Sequence, residues 1–177
     1  TDYPQVIDFS GHSHAPINDP RSIHQKFFTS LGTGSISYFE LDEFDFMYGT
    51  IPPDCYECSQ YYIVEVDENN AVRILPVDIL TEQFFHEGYL LNTCWEPESF
   101  EFTASRALTE AKPYFPADFS CSYTLSPEHI LHITFPQAQT NGYRVNSYTL
   151  VLRSSEGDIL AQKKISSSYY RTAMPET

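Results

Sequence analysis

The chain has 177 residues, which suggests one large domain or two small ones and is enough to bury a core without staples or an obligatory metal. Its 41% hydrophobic content excludes wholesale disorder, and no apolar run is long enough to cross a bilayer as a helix. The net charge of −14 falls within residues 40–110, where Arg73 and Arg106 face 16 acids, and such a field argues against a nucleic-acid scaffold or a headgroup binder.

With 13 Phe, 13 Tyr, 1 Trp and only 7 Gly, the composition favours strands. In chain order, Gln5–Ser10 reads as a short strand. The segment Gly11–Pro20 carries the Gly, Pro, Asn and Asp of a loop. Residues 21–28 read as one or two helical turns or irregular chain. Phe28–Leu31 and Ser35–Leu41 read as strands parted by Gly32-Thr33-Gly34, a bulge or tight turn. Leu41–Phe46 alternates acids with aromatics and reads as a solvated loop over an apolar patch.

Gln60–Val66 is the clearest strand of the first half. Asp67-Glu68-Asn69-Asn70 turns the chain, and Ala71–Ile79 returns as its hairpin partner. Pro76 predicts a sheet edge there. Pro97 and Pro113 bracket a connector, residues 96–112, with a short helix over Ala104–Ala111. Beyond it, Phe119–Leu125, Ile130–Phe135, Arg144–Arg153 and Ile159–Ser166 read as strands. Turns at Ser126-Pro127, Asn141-Gly142 and Ser154–Gly157 separate them. Both faces of Arg144–Arg153 carry apolar groups, which predicts a central strand.

The cysteines are Cys55, Cys58, Cys94 and Cys121. Cys55-Tyr-Glu-Cys58 is one Cys-x-x-Cys with no second pair, and it reads as loop cysteines. The opening Thr1-Asp2-Tyr3-Pro4 has neither an initiator Met nor a basic, apolar leader. It reads as a chain that begins inside a gene product.

Chemistry concentrates in Phe9-Ser10-Gly11-His12-Ser13-His14. On extended backbone, His12 and His14 would project to one side, just past a strand end. Neutral imidazoles there suit zinc, iron or manganese. Gly11 would let the backbone turn. His24, His86, His129 and His132 are scattered and complete no first shell. A bare His-x-His is as often a surface pair as a ligand pair.

Val6-Ile-Asp-Phe-Ser-Gly-His-Ser-His-Ala-Pro resembles the last metal motif of the calcineurin-like metallophosphoesterases. Tyr3-Pro4, Ile17–Ile23 and Gly32–Tyr38 look like bacterial members. This resemblance covers residues 1–95. Residues 113–177 are similar to the fibronectin type III-like domain that trails such enzymes. The pieces that carry it are Pro113–Asp118, Ile133–Ala138 and Val145–Arg153.

The resemblance implies a mainly β chain. The late strands of an αββα sandwich would be followed by a β-sandwich with four strands, short of the usual seven or so. It implies a phosphate-ester substrate and two divalent or trivalent metal ions (Mn, Fe or Zn) that activate a bridging hydroxide. His12 matches the ligand of one ion and His14 the ligand of the other. The family's earlier motifs, Asp-x-His, Gly-Asp-x-x-Asp and Gly-Asn-His-Glu/Asp, do not occur in this sequence. The chain therefore reads as the C-terminal part of an enzyme whose N-terminal remainder is a required partner. By itself it is expected to be inactive. Asn18, Arg21 and His24 follow the motif and are candidates to approach substrate, but a loop held by turn hydrogen bonds and surface charge is the stronger reading of each. An exported or cell-surface bacterial setting fits the appended sandwich.

Two other readings compete. One is a non-catalytic binding or adhesion module that presents Trp95, Tyr169 or Tyr170 to a carbohydrate or protein. The other is a structural zinc site joining Cys55 and Cys58 to His12 and His14.

Overall fold

The computed structural model describes residues 2–42, 48–52, 55–108, 112–140 and 145–172. The acidic residues Glu43 and Asp45 and the expected turn at Asn141-Gly142 lie outside them. The described chain is mainly β, with helix confined to short 3-10 turns. It divides into two compact units: residues 1–109 with 168–177, and residues 110–167.

In the first unit, β1 (Ile7–Ser10) pairs parallel with β3 (Thr29–Gly32), and β2 (Ile23–Gln25) pairs antiparallel on the other side of β3. Residues 21–28 thus form a 3-10 turn, Pro20–Ser22, and then a strand rather than helical turns. The two-residue period sorts this sheet into faces. Ile23 and Leu31 point into the core, with Ile7 packed against it. His24 and Ser30, directly paired, point the other way.

The expected strand at Ser35–Leu41 is realised only at its end. There β4 (Leu41–Asp42) pairs with β5 (Tyr48–Thr50). Gly34 has φ 64°, and a Cβ there would lie 2.6 Å from Ile17 Cγ2, so the turn depends on glycine.

The hairpin of β6 (Gln60–Val66) and β7 (Val72–Asp78) has the expected register, Gln60 opposite Asp78 through Val66 opposite Val72. Asp67 Oδ1 accepts from the backbone N–H groups of Asn69 and Ala71, both at 2.8 Å, and this closes the turn. On its other side β7 pairs with β8 (Gln83–Phe84) and β9 (Tyr89–Leu91). The edge expected from Pro76 is therefore wrong: β7 has neighbours on both sides. Pro76 falls between the stretches paired with β9 and β8, and its carbonyl accepts from Phe85 N–H. The missing N–H costs no ladder bond at that gap.

Val72, Ile74, Tyr89, Leu91 and Cys94 join Ile23 and Leu31 in one apolar cluster. Phe102 packs on it, and Gln25 Oε1 accepts from the N–H groups of Glu101 and Phe102, both at 3.0 Å. Residues 97–108, read from sequence as connector, thus belong to the first unit as two 3-10 turns, Pro97–Ser99 and Ala104–Leu108. A second cluster joins Phe39, Leu41, Cys58 and Tyr170.

In the second unit, β10 (Ser122–Leu125) pairs with β11 (Leu131–Thr134), and β12 (Ser147–Arg153) with β13 (Ile159–Ser166). All four strands expected from sequence are present, with shorter bounds for three. Among the described residues β12 has one partner, so it is not the central strand that its two apolar faces predicted. Phe115, Phe119, Phe135 and Tyr148 form a ring cluster, with Phe135 edge-on to Tyr148 at 4.9 Å.

Candidate functional site

The Gly-His-Ser-His motif begins at the residue after β1, at the carboxyl end of the strand. Its backbone is not extended. His12 has φ 79° and His14 φ 50°, both left-handed, so the two-residue alternation inferred from sequence does not operate here. Ser13 N–H donates to Gly11 O at 3.0 Å across His12, closing a γ-turn. Gly11 itself stays out of the left-handed region, and a Cβ there would make an ordinary 3.7 Å contact. The histidines, not the glycine, take the strained conformations. Asn70, Glu82, His129 and Ser168 also have positive φ, so the conformation by itself does not mark a site.

The loop is tied down on both sides. Thr33 N–H donates to Ser10 O at 2.8 Å, and Glu40 N–H to His14 O at 3.1 Å. The His14 ring lies edge-on to Tyr38, centroids 4.4 Å apart. Its Nδ1 is buried and has no hydrogen-bond partner among the described residues. His12 is exposed. Tyr38 has its phenol pKa raised, by burial first and by the Glu40 charge and hydrogen bond second, so it remains a neutral donor toward Glu40.

A buried imidazole nitrogen without a partner is costly, and a metal ion would accept its lone pair. The donors therefore fit a metal in kind. In number they do not complete a first shell. Among the described residues no three His, Cys, Asp or Glu side chains gather as a ligand group. The zinc set of Cys55, Cys58, His12 and His14 is therefore not assembled among the described residues. Cys58 packs with Phe39, Leu41 and Tyr170, and Cys55 is buried and free.

Beside the motif is a cleft of about 400 Å³. Ser10 and Ser13 border it on the motif side, and His24 and Ser30 form its floor. Arg21 and Glu40 line it as well. Asp19 Oδ2 holds Arg21 Nη2 at 2.8 Å, and Asp19 Oδ1 accepts from Arg21 Nε at 3.2 Å. The Asp19 side chain is 4% exposed and that of Arg21 53%, so a buried carboxylate anchors a half-exposed guanidinium. From sequence, Arg21 and His24 are loop residues first and substrate neighbours second. Their convergence on a cleft depends on the pairing of β2 with β3, which no local motif announces.

Asn18 is structural: its Nδ2 donates to Tyr169 O at 2.7 Å. Tyr170 is 2% exposed and Tyr169 packs beside it, so neither ring is displayed by the second unit. Trp95 is exposed, but it too belongs to the first unit.

No family model, curated protein or solved structure matches this chain.

Proposed function

We propose that the chain is the C-terminal portion of a metal-dependent phosphoesterase, with His12 and His14 as ligands of a two-metal centre. The observation that carries this reading is the buried Nδ1 of His14, without a hydrogen-bond partner among the described residues, in a loop of positive-φ histidines directly after a strand. In this reading the first unit supplies late strands of an αββα sandwich, and the second unit is a fibronectin type III-like appendage. When bound, the metal pair supplies Lewis-acid stabilisation of phosphoryl oxygens and a nucleophile at neutral pH. The chain's own part is to orient two imidazoles. The Ser10–Thr33 and His14–Glu40 backbone bonds hold the loop, and Tyr38 fixes the His14 ring. Two imidazoles alone cannot hold two ions, and among the described residues no carboxylates gather with them, so this reading takes its carboxylates from a segment N-terminal to Thr1.

The test is the coding sequence upstream of Thr1, followed by assay of the longer protein on nitrophenyl phosphate mono- and diesters. Asp-x-His, Gly-Asp-x-x-Asp and Gly-Asn-His-Glu/Asp motifs are expected there. Manganese-dependent hydrolysis should then fall at least about a hundredfold in His12→Ala or His14→Ala. An upstream segment without those carboxylates would sink the reading. The 177 residues alone are expected to show negligible turnover and weak metal affinity. Robust metal-dependent hydrolysis by them would contradict the proposal.

A further inference from the structure

We infer that the cleft beside the motif binds the polyhydroxylated, sugar-like alcohol portion of the substrate rather than its phosphate. The inference rests on the phosphoesterase reading for the identity of the ester. The cleft itself is carried by geometry.

Its volume, about 400 Å³, falls in the range of small-ligand sites. Its floor is the polar face of the β1–β3–β2 sheet, where Ser30 is flanked in register by Asp8 and His24. The hydroxyls of Ser13 and Ser30 make no hydrogen bond among the described residues. Ser10 Oγ donates to Asp8 Oδ2 at 2.5 Å and keeps its acceptor capacity. Arg21 is held in one orientation by buried Asp19, and its exposed half lines the cleft. Glu40 adds acceptors on the opposite charge. Hydroxyls, one carboxylate and a guanidinium match a diol, which donates to carboxylate and serine oxygens and accepts from N–H groups.

The charge argues against an anion. At the cleft Asp19 pairs with Arg21 and Glu40 adds a further carboxylate, while the bulk of the −14 lies in residues 40–110. A bare phosphate would meet net repulsion unless metal ions inverted the field. The natural division of labour is phosphate on the metals and alcohol in the cleft.

Gly32 provides a clean probe. It lines the cleft, and a Cβ there would make only ordinary contacts with Ser22, at 3.9–4.0 Å. Gly32→Val places two methyl groups beyond that Cβ at the cleft wall, and unmoved amide resonances elsewhere in the sheet check that its fold is kept. Ser30→Ala is the second variant, because the Ser30 hydroxyl has no hydrogen bond to lose among the described residues.

The experiment is a titration of the 177-residue chain with D-ribose, followed by backbone amide resonances. Inorganic phosphate and cyclopentanol are titrated separately. Ribose is expected to shift Ser10, Ser13 and Ser30 saturably, with a dissociation constant on the order of millimolar. Gly32→Val should weaken this at least about tenfold and Ser30→Ala several-fold, with the other resonances unmoved. Absence of saturable shifts with ribose overturns the inference. So does equal binding of phosphate or cyclopentanol, or ribose binding that survives Gly32→Val. The titration needs neither metal nor upstream residues. Its failure beside intact upstream motifs removes the cleft assignment alone. Ribose binding without those motifs removes the phosphoesterase reading and leaves a sugar site.

Discussion

Tyr62 and His86 show how burial sets the chemistry of single groups in this protein. The Tyr62 phenol is pushed up, by burial first and by Tyr89 and Asp19 second. It therefore stays neutral and donates to Ile17 O at 3.1 Å. Tyr62→Phe should cost about 1 kcal/mol, because the partner carbonyl loses its donor; urea unfolding checks this. His86 has its pKa lowered from 6.5, by burial first and against the opposing charge of Glu87. Its Nδ1 accepts from Gly88 N–H at 3.1 Å, a role for neutral imidazole. The unfolded chain thus takes up a proton at higher pH than the folded one. Stability is complete above the unfolded value of 6.5 and declines as pH falls through 6.5 toward the folded value. Melting temperature should drop between about pH 7.5 and 5.5 more in the native chain than in His86→Gln. An identical drop in both would remove His86 as the cause.

The β6–β7 hairpin shows what an element owes to its own residues. Runs of β-branched and aromatic side chains, four turn residues and the Asp67 acceptor specify both strands and their register locally. The chain end is the opposite case. Residues 168–172 carry no strand pattern, yet they close the second cluster of the first unit. Gln60 Nε2 donates to Tyr170 O at 2.9 Å, and Thr172 N–H and Oγ1 donate to Asp78 Oδ2 at 3.1 and 2.9 Å. Gln60 and Asp78 are both buried. Ending the chain at Ser167 would strand these polar groups and uncover Phe39. The expected loss is about 3 kcal/mol or more, from one large buried ring and two buried polar partners. Hydrogen exchange at Ile74 and Val77 should accelerate roughly a hundredfold. Unchanged protection would mean that residues 168–172 are only a passive tail.

At the scale of the molecule the governing term is charge. The acids of residues 40–110 have few internal cations, and exposed pairs such as Arg73–Glu65, at 3.9 Å, contribute little. Raising ionic strength from about 0.01 to 0.15 M shortens the Debye length from about 30 to 8 Å. Self-repulsion should then weaken and the melting temperature rise. A fall would mean that attractive pairs such as Arg21–Asp19 dominate instead.

What the sequence determined by itself is what short-range physics controls. It settled the mainly β character, from aromatic and β-branched residues. It settled the β6–β7 hairpin, from its two strand-forming runs and the turn between them, and the four strands of the second unit. It also placed the His12–His14 motif at a strand end. Other features were decided only by tertiary structure. Pro76 lies inside a sheet because two different strands stop on either side of it. Tyr170 is buried because its carbonyl meets Gln60, a residue 110 positions earlier. The histidines turn left-handed because bonds from Thr33 and Glu40 hold both ends of their loop. The cleft exists because β2 folds back beside β3 and sets His24 against Ser30. Each of these depends on partners distant in the chain, and local periodicity carries no information about which distant groups will meet.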